Sequence, residues 1–157
     1  MVDPSELIDN LVTKLRAIAD LVTEMDGDAT RIAAYHDQFP DKSSLAQAVH
    51  DMAAPGILIV WNGTGPGNFG RNESWKHQIA AYLRMKAEVP GDAANGYYRL
   101  FRLITKGVPA GDSVPMNYLE IHPSFYPMDT PSIERDTDAE GLDYFRVVMP
   151  FTEIGDD

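Results

Sequence analysis

The segment after the apolar residues 57–61 has the spacing of a nucleotide-binding loop. Residues 65–70 read Gly-Pro-Gly-Asn-Phe-Gly and satisfy the G-x-G-x-x-G pattern of dinucleotide-binding units. That chemistry requires a helix directly after the loop, because the phosphates bind the N–H groups at the helix N-terminus. The next segment alternates like a strand, and Pro66 has no N–H group to offer. A small nucleotide-binding enzyme domain therefore stays only as a minor alternative.

A second segment places oxygen-bearing side chains at the spacing of a calcium loop. Residues 136–141 read Asp-Thr-Asp-Ala-Glu-Gly, with acids at Asp136, Asp138 and Glu140 and glycine in the sixth position. The twelfth position, where a bidentate glutamate should stand, is Val147, and the residues after the turn read as a strand. We interpret the segment as a polar turn before the last strand and expect no metal site.

The other residue types that support catalysis are scattered along the chain. The sequence has no cysteine, which excludes disulfides, zinc–thiolate sites and a cysteine nucleophile. It also has no G-x-S-x-G motif, and no pair of carboxylates stands out. The four histidines have no metal-ligand spacing, and we expect each to be exposed or hydrogen-bonded: His36, His50, His77 and His122. The sequence predicts a protein that is not an enzyme and has no cofactor.

The residues around the glycine-rich segment predict a hairpin. Residues 73–86 alternate between apolar and long polar side chains, with Trp75 and Ile79 on the apolar side, and this period of two predicts a strand. Residues 57–61 predict the preceding strand, so residues 63–74 are expected to be a long loop between antiparallel strands. An aromatic residue at such a tip cannot easily reach its own core. Phe69 is therefore predicted to contact another chain.

The remaining elements predict an α+β domain that comprises the whole chain, residues 1–157. An amphipathic helix is predicted from Pro4 to Gly27, with shorter helical patterns at residues 29–36 and 44–52. A helix over residues 97–106 ends at Gly107, and strands are predicted at residues 118–122 and 142–151. The expected fold is a small, mainly antiparallel sheet flanked by the N-terminal amphipathic helix and a second helix.

The charge of the chain argues against nucleic-acid binding. The formal net charge is −11, and residues 129–157 contain nine acidic residues against Arg135 and Arg146. A protein that grips phosphates needs clustered Lys and Arg instead. The first residues lack the pattern of a secretory signal, and no apolar run approaches the roughly 18 residues that cross a bilayer. We expect a protein made in the cytoplasm that does not interact with membranes.

The order of these segments resembles the tail terminator family of long-tailed bacteriophages. The matching features are the N-terminal amphipathic helix, the strand and loop PGILIVWNGTG, the return strand ESWKHQIAAYLRM and the helix YYRLFRLI. The most specific part is the ending SIERDTDAEGLDYFRVVMPFTEIGD, an acidic turn followed by an aromatic-rich last strand. The resemblance covers about residues 5–155, although residues 28–54 and 107–131 have no counterpart.

The resemblance implies a non-catalytic virion protein of the tail and neck. Such a protein assembles with itself into a ring, a homohexamer, which caps the head-proximal end of the tail tube and ends its polymerisation. Its other partners would be the tail tube protein and a head-completion or stopper protein, while genome DNA passes the lumen without specific binding. The alternative is another head–tail connector component, such as a stopper or tail-completion protein. The candidate contact residues lie in the glycine-rich segment and the acidic turn: Trp61, Gly65, Gly67, Phe69, Gly70, Arg71, Asp136, Asp138 and Glu140.

Overall fold

Five strands form a single sheet at the centre of the protein. The structure, a computed structural model, describes residues 2–36, 42–69, 72–85, 93–107, 130–137 and 143–153. The strands are β1 (Ile32–Tyr35), β2 (Gly56–Phe69), β3 (Asn72–Arg84), β4 (Ser132–Thr137) and β5 (Asp143–Glu153), in the spatial order β1-β2-β3-β5-β4. All neighbouring strands are antiparallel except β1 and β2, which are parallel. This confirms the predicted α+β class.

Four α-helices accompany the sheet in the described part of the chain. They are α1 (Pro4–Arg16), α2 (Ala19–Glu24), α3 (Lys42–Asp51) and α4 (Ala93–Lys106). Asp3 caps α1 by accepting a hydrogen bond from the Ser5 N–H at 2.8 Å, and Pro4 occupies a position where a helix needs no N–H donor. Gly107, with φ of 70°, ends α4 as the sequence predicts. The predicted strand at residues 118–122 lies outside the described residues.

The predicted single N-terminal helix is wrong, because two helices occupy that segment. α1 ends at Arg16, and Ile18 has an extended backbone with φ of −83° and ψ of 103° before α2 begins. Arg16 turns back and donates a hydrogen bond from Nε to the Ile32 carbonyl of β1 at 2.9 Å. Both helices bury apolar residues in the same core, so the apolar spacing continues across the break. Periodicity alone could not reveal it.

The helical pattern at residues 29–36 was also a wrong prediction. Residues Ala29–Arg31 form one 3-10 turn, and Ile32–Tyr35 then form β1. Each residue of β1 lies opposite a residue of β2, from Ile32 with Ile57 to Tyr35 with Val60. A strand of this kind gains its backbone hydrogen bonds from a segment far along the chain. Local helix propensity does not include the free energy of these hydrogen bonds.

The two faces of the sheet carry different cores. The face that packs against α1, α2 and α4, here called the helical face, contributes a set of fully buried apolar side chains: Ile57, Ile59, Ile79, Ala81, Leu83, Val147, Met149 and Phe151. The opposite face has a smaller cluster that includes Val49 of α3 with Val60 and Tyr82. Each large apolar side chain contributes about 1.5–3 kcal/mol when fully buried. The helical face therefore holds most of the burial energy.

None of the helices in the described part of the chain combines the length and the apolar character required to cross a bilayer.

Candidate functional site at the base of the β2–β3 hairpin

The β2–β3 hairpin extends past the described parts of the other strands. Among the described residues, β1 pairs with β2 as far as Val60, and β5 pairs with β3 as far as Glu153, which lies opposite Trp75. The pairing of β2 with β3 continues to Phe69 and Asn72. Residues 66–69 and 72–74, here called the arm, thus form a two-stranded ribbon to which no other described strand is paired. Two-stranded ribbons are marginally stable in water when they stand alone.

The long loop predicted for residues 63–74 is therefore wrong, although the predicted antiparallel hairpin is confirmed. Residues 63–69 belong to β2 and residues 72–74 belong to β3, so two residues separate the strands. Glycine and proline weaken local strand propensity, which is why the segment reads as a loop. Pro66 is compatible with a strand here because, among the described strands, only β3 is paired with β2 beyond Val60, which leaves the other edge of β2 open.

A β-bulge separates the arm from the body of the hairpin. Trp61 lies opposite Ile79 and Gly63 lies opposite Gln78, so Asn62 is an extra residue in β2. Gly63 has φ of 130°, which side-chain-bearing residues rarely adopt. Since side chains alternate along a strand, the extra residue changes which face each later residue occupies. It puts Thr64 opposite His77, on the helical face.

The bulge assembles a row of hydrogen bonds across three strands, here called the polar row: Trp61, Thr64, His77 and Glu153. Trp61 Nε1 donates to Thr64 Oγ1 at 3.2 Å, and Thr64 Oγ1 lies 2.8 Å from His77 Nδ1. His77 Nε2 lies 3.2 Å from Glu153 Oε2. The second carboxylate oxygen of Glu153 accepts the Val2 N–H at 3.0 Å, which ties the N-terminal segment to the row.

The environment of His77 assigns one protonation state to the row. His77 is fully buried, and burial lowers the pKa of its imidazole, while the hydrogen bond and charge of Glu153 oppose that shift in part. A neutral ring with its proton on Nε2 donates to Glu153 and accepts the Thr64 hydroxyl proton at Nδ1. Thr64 Oγ1 in turn accepts the indole N–H of Trp61. Every donor in the row then has an acceptor.

A hydroxyl, an imidazole and a carboxylate in sequence is also the arrangement that activates a nucleophile in hydrolases. In this protein the imidazole has no solvent-accessible surface, and the hydroxyl oxygen is already hydrogen-bonded to Trp61. Both features hinder the approach of a substrate to Thr64. The contacts fit a buried cross-link that holds β2, β3, β5 and the N-terminal segment together.

Glu153→Gln is expected to lower the free energy of unfolding by about 1–3 kcal/mol. Glu153 accepts hydrogen bonds from the Val2 N–H and from His77 Nε2–H. Glutamine places an NH₂ group against one of these donors and leaves that donor without an acceptor. The matched control is Glu24→Gln in the half-exposed ion pair with Arg99, where we expect about 0–1 kcal/mol. Urea unfolding of both variants measures the difference. Equal, small losses would contradict a structural role for the polar row.

The candidate contact residues of the glycine-rich segment fall in several environments. Trp61 is partly buried against the main core and uses its N–H internally. Gly65, Gly67 and Phe69 all lie in β2, with Phe69 opposite Asn72 at the end of the strand. Gly70 and Arg71 lie outside the described residues. Trp75, which the alternation of residues 73–86 places on the apolar side of the strand, is 39% exposed where the arm leaves the sheet.

The acidic turn differs in part from its prediction. Asp136 lies in β4 and not in a turn, directly opposite Tyr144 of β5, because cross-strand pairing extends the strand to Thr137. Burial, with a smaller contribution from the Asp136 charge, raises the pKa of Tyr144 to about 12, so its hydroxyl remains a donor to Asp136. Asp138 and Glu140 lie outside the described residues. Within the residues that the structure describes, no group of three or more His, Cys, Asp or Glu is placed to hold a metal ion.

A cleft of about 430 Å³ opens between the 3-10 turn, β1, α3 and β2, with Asp28, Thr30, Arg31 and Asp51 among its lining residues. Its size falls in the range of ligand sites. However, Asp28 accepts hydrogen bonds from Thr30, and Arg31 Nη1 donates to the Pro55 carbonyl at 3.0 Å. The polar groups at its rim thus hold the local backbone together and do not converge on the cleft.

Sequence reasoning missed two members of the polar row, Thr64 and Glu153. The alternation in β3 did place His77 on the same side as Ile79 and Leu83, which was a signal of burial. Its partners come from β2 and β5, at sequence separations of 13 and 76 residues. The bulge that turns Thr64 towards His77 leaves no pattern in the sequence beyond a glycine at position 63.

A comparison of the chain with protein-family models finds no match, and a comparison with curated proteins finds none at a significant level.

Proposed function

We propose that the protein is a structural subunit of a phage neck. It assembles with copies of itself into a hexameric ring that caps the head-proximal end of the tail tube, and it joins the tube to the head-completion or stopper protein. The proposal comes from the resemblance to tail terminators. The observation that supports it best is the arm, a paired ribbon that extends beyond the sheet.

The arm supports the proposal because it lacks partners within the described part of its own subunit. Residues 66–69 and 72–74 are paired with each other, and the described pairing of β5 with β3 extends to Glu153, opposite Trp75. A ribbon of this kind is stabilised when another surface covers it. Trp75, exposed at its base, is a residue type enriched in protein interfaces. In a ring, the neighbouring subunit would supply that surface.

The rigid base makes the arm suitable for such a contact. Within the hairpin, Thr64 of β2 is hydrogen-bonded to His77 of β3, and His77 is hydrogen-bonded to Glu153 of β5. Glu153 in turn accepts the Val2 N–H of the N-terminal segment. An arm that leaves the sheet in a defined direction loses less conformational entropy on binding than a disordered loop does. This is an advantage for a subunit that must close a ring.

The charge of the chain is consistent with a genome passing through the ring. A net charge of −11 repels phosphate groups, so DNA would slide past the subunits without being gripped. The charge supports the proposal as a property of the whole chain.

Electron microscopy of the purified protein, alone and mixed with the tail tube protein, tests the proposal. We expect rings with six-fold symmetry that bind one end of the tube, and light scattering should give the corresponding increase in mass. Tubes that continue to grow in the presence of the protein would contradict the capping role. Rings that bind a head-completion protein but not the tube would favour the alternative connector role.

A further inference from the structure

The polar row lies where the arm joins the sheet, and its one titratable ring is buried inside it. Thr64 is two residues from the first arm residue, Pro66, and His77 is two residues from Trp75. The hydrogen bonds of the row therefore lie close to the point where the arm leaves the body of the protein. Any change in its hydrogen bonding acts directly at the arm's base.

Protonation of His77 would reverse one hydrogen bond in the row. In the neutral state, Nδ1 accepts the Thr64 hydroxyl proton. After protonation both ring nitrogens are donors, so Nδ1–H must point at Thr64 Oγ1, which already accepts the Trp61 N–H. The hydroxyl proton of Thr64 then loses its acceptor. The Thr64 hydroxyl must turn its proton towards another acceptor, and this change weakens the hydrogen bonding that holds the bulge.

We propose that the polar row is a proton-sensitive latch, which holds the arm in line with the sheet while His77 is neutral and releases it when His77 is protonated. The latch is a property of the single subunit. Its consequence for assembly, that mildly acidic conditions weaken the contact made by the arm, rests on the proposed ring function.

The charged groups that act on His77 set the direction of the pH effect. Glu153 of β5 raises its pKa through a hydrogen bond and a negative charge, whereas burial and, more weakly, the amino-terminal charge lower it, and the net shift is downward. Because the unfolded state then binds more protons just below pH 6.5, the contribution of His77 to stability is complete above that pH and is lost as the pH falls towards the lowered pKa. Protonation of His77 in the folded protein, and with it the opening of the latch, occurs at the lower end of this range, around the lowered pKa.

The two tryptophans of the chain provide the test, because only Trp61 belongs to the row. NMR of the full chain between about pH 7.5 and about pH 4.5 follows the Trp61 and Trp75 indole N–H signals and the His77 ring. We expect the Trp61 signal to move with the midpoint of His77, and the Trp75 signal, at the base of the arm, to change less. Protection of the arm amides against hydrogen exchange, corrected for the intrinsic rate, should fall about tenfold over that step. The amides at residues 57–60 should keep theirs.

Two variants separate the latch from general acid sensitivity. His77→Gln removes the titration, and Thr64→Val removes the link to Trp61 while leaving His77 and Glu153; we expect neither to show the coupled step. His36→Gln, at an exposed histidine paired with Asp9, is the matched control and should behave like the wild type. A coupled step that persists in both row variants would overturn the proposal. So would a His77 ring that stays neutral until the protein unfolds, or one that titrates while the arm amides remain protected.

These outcomes are independent of the ring. The NMR experiment uses the single subunit, so a failed latch leaves the hexamer open to its own test by microscopy. Conversely, a protein that forms no rings can still show the coupled step.

Discussion

Shortening the arm is expected to abolish ring assembly while leaving the subunit folded. The variant replaces residues 67–74 with Asn-Gly, so that Pro66 and Trp75, which already lie opposite each other, are joined by a two-residue turn. The main core on the helical face is untouched, as is the polar row. We expect the free energy of unfolding to change by about 1 kcal/mol or less, because the arm strands are paired only with each other among the described strands.

Assembly should respond much more strongly than stability. If the arm is the main contact between subunits, its removal should weaken ring formation by at least about a hundredfold, equivalent to about 2.7 kcal/mol. Light scattering and electron microscopy with the tube protein measure this. Phe69→Ala, at the end of β2, should shift assembly in the same direction by a smaller amount.

Two outcomes would contradict this account. Normal rings from the shortened variant would place the subunit contact elsewhere. Loss of cooperative unfolding would show instead that the arm is part of the subunit's own fold. The exposed Trp75 would then be expected to pack within its own subunit and not against a neighbouring one.

Gly63→Ala is expected to lower the free energy of unfolding by about 1–3 kcal/mol, and Gly65→Ala is its matched control. The two glycines lie in the same strand, and an added Cβ would meet no atom within 4 Å at either position. Only Gly63 has a positive φ, of 130°. The predicted loss therefore comes from backbone strain alone. Gly65→Ala should be neutral, or slightly stabilising because alanine restricts the unfolded chain.

The bulge variant also has a structural readout. A chain that relieves the strain by removing the bulge turns Thr64 to the opposite face and breaks its contact with His77. The Trp61 indole N–H signal should then shift in Gly63→Ala and stay in Gly65→Ala. Equal stability of the two variants would mean that residue 63 tolerates alanine, and the bulge would lose its role in assembling the polar row.

Much of the fold follows from patterns that are local. The alternation of Trp75, Ile79 and Leu83 predicts β3 and its buried side, and the spacing of Tyr97, Leu100 and Ile104 predicts α4 and the glycine that ends it. These predictions hold because a strand or helix shows its buried face in consecutive residues. The acidic composition and the absence of cysteine are likewise read from the sequence directly.

The errors occur where pairing with another strand decides the local structure. Residues 32–35 become β1 because β2 accepts them as a parallel neighbour, and residues 63–69 become a strand because β3 pairs with them. Asp136 joins β4 in the same way, through β5. In each case hydrogen bonds to the paired strand outweigh weak local propensities.

The sequence by itself determined the α+β class, the hairpin around the glycine-rich segment and the charge that argues against gripping nucleic acid. Only the tertiary structure decided that this segment is a paired arm and that Thr64, His77 and Glu153 meet at its base. The physical reason is the bulge, since one extra residue reverses the side on which every later side chain of β2 lies. Side-chain types and spacing do not reveal such a reversal until β2 is aligned with β3.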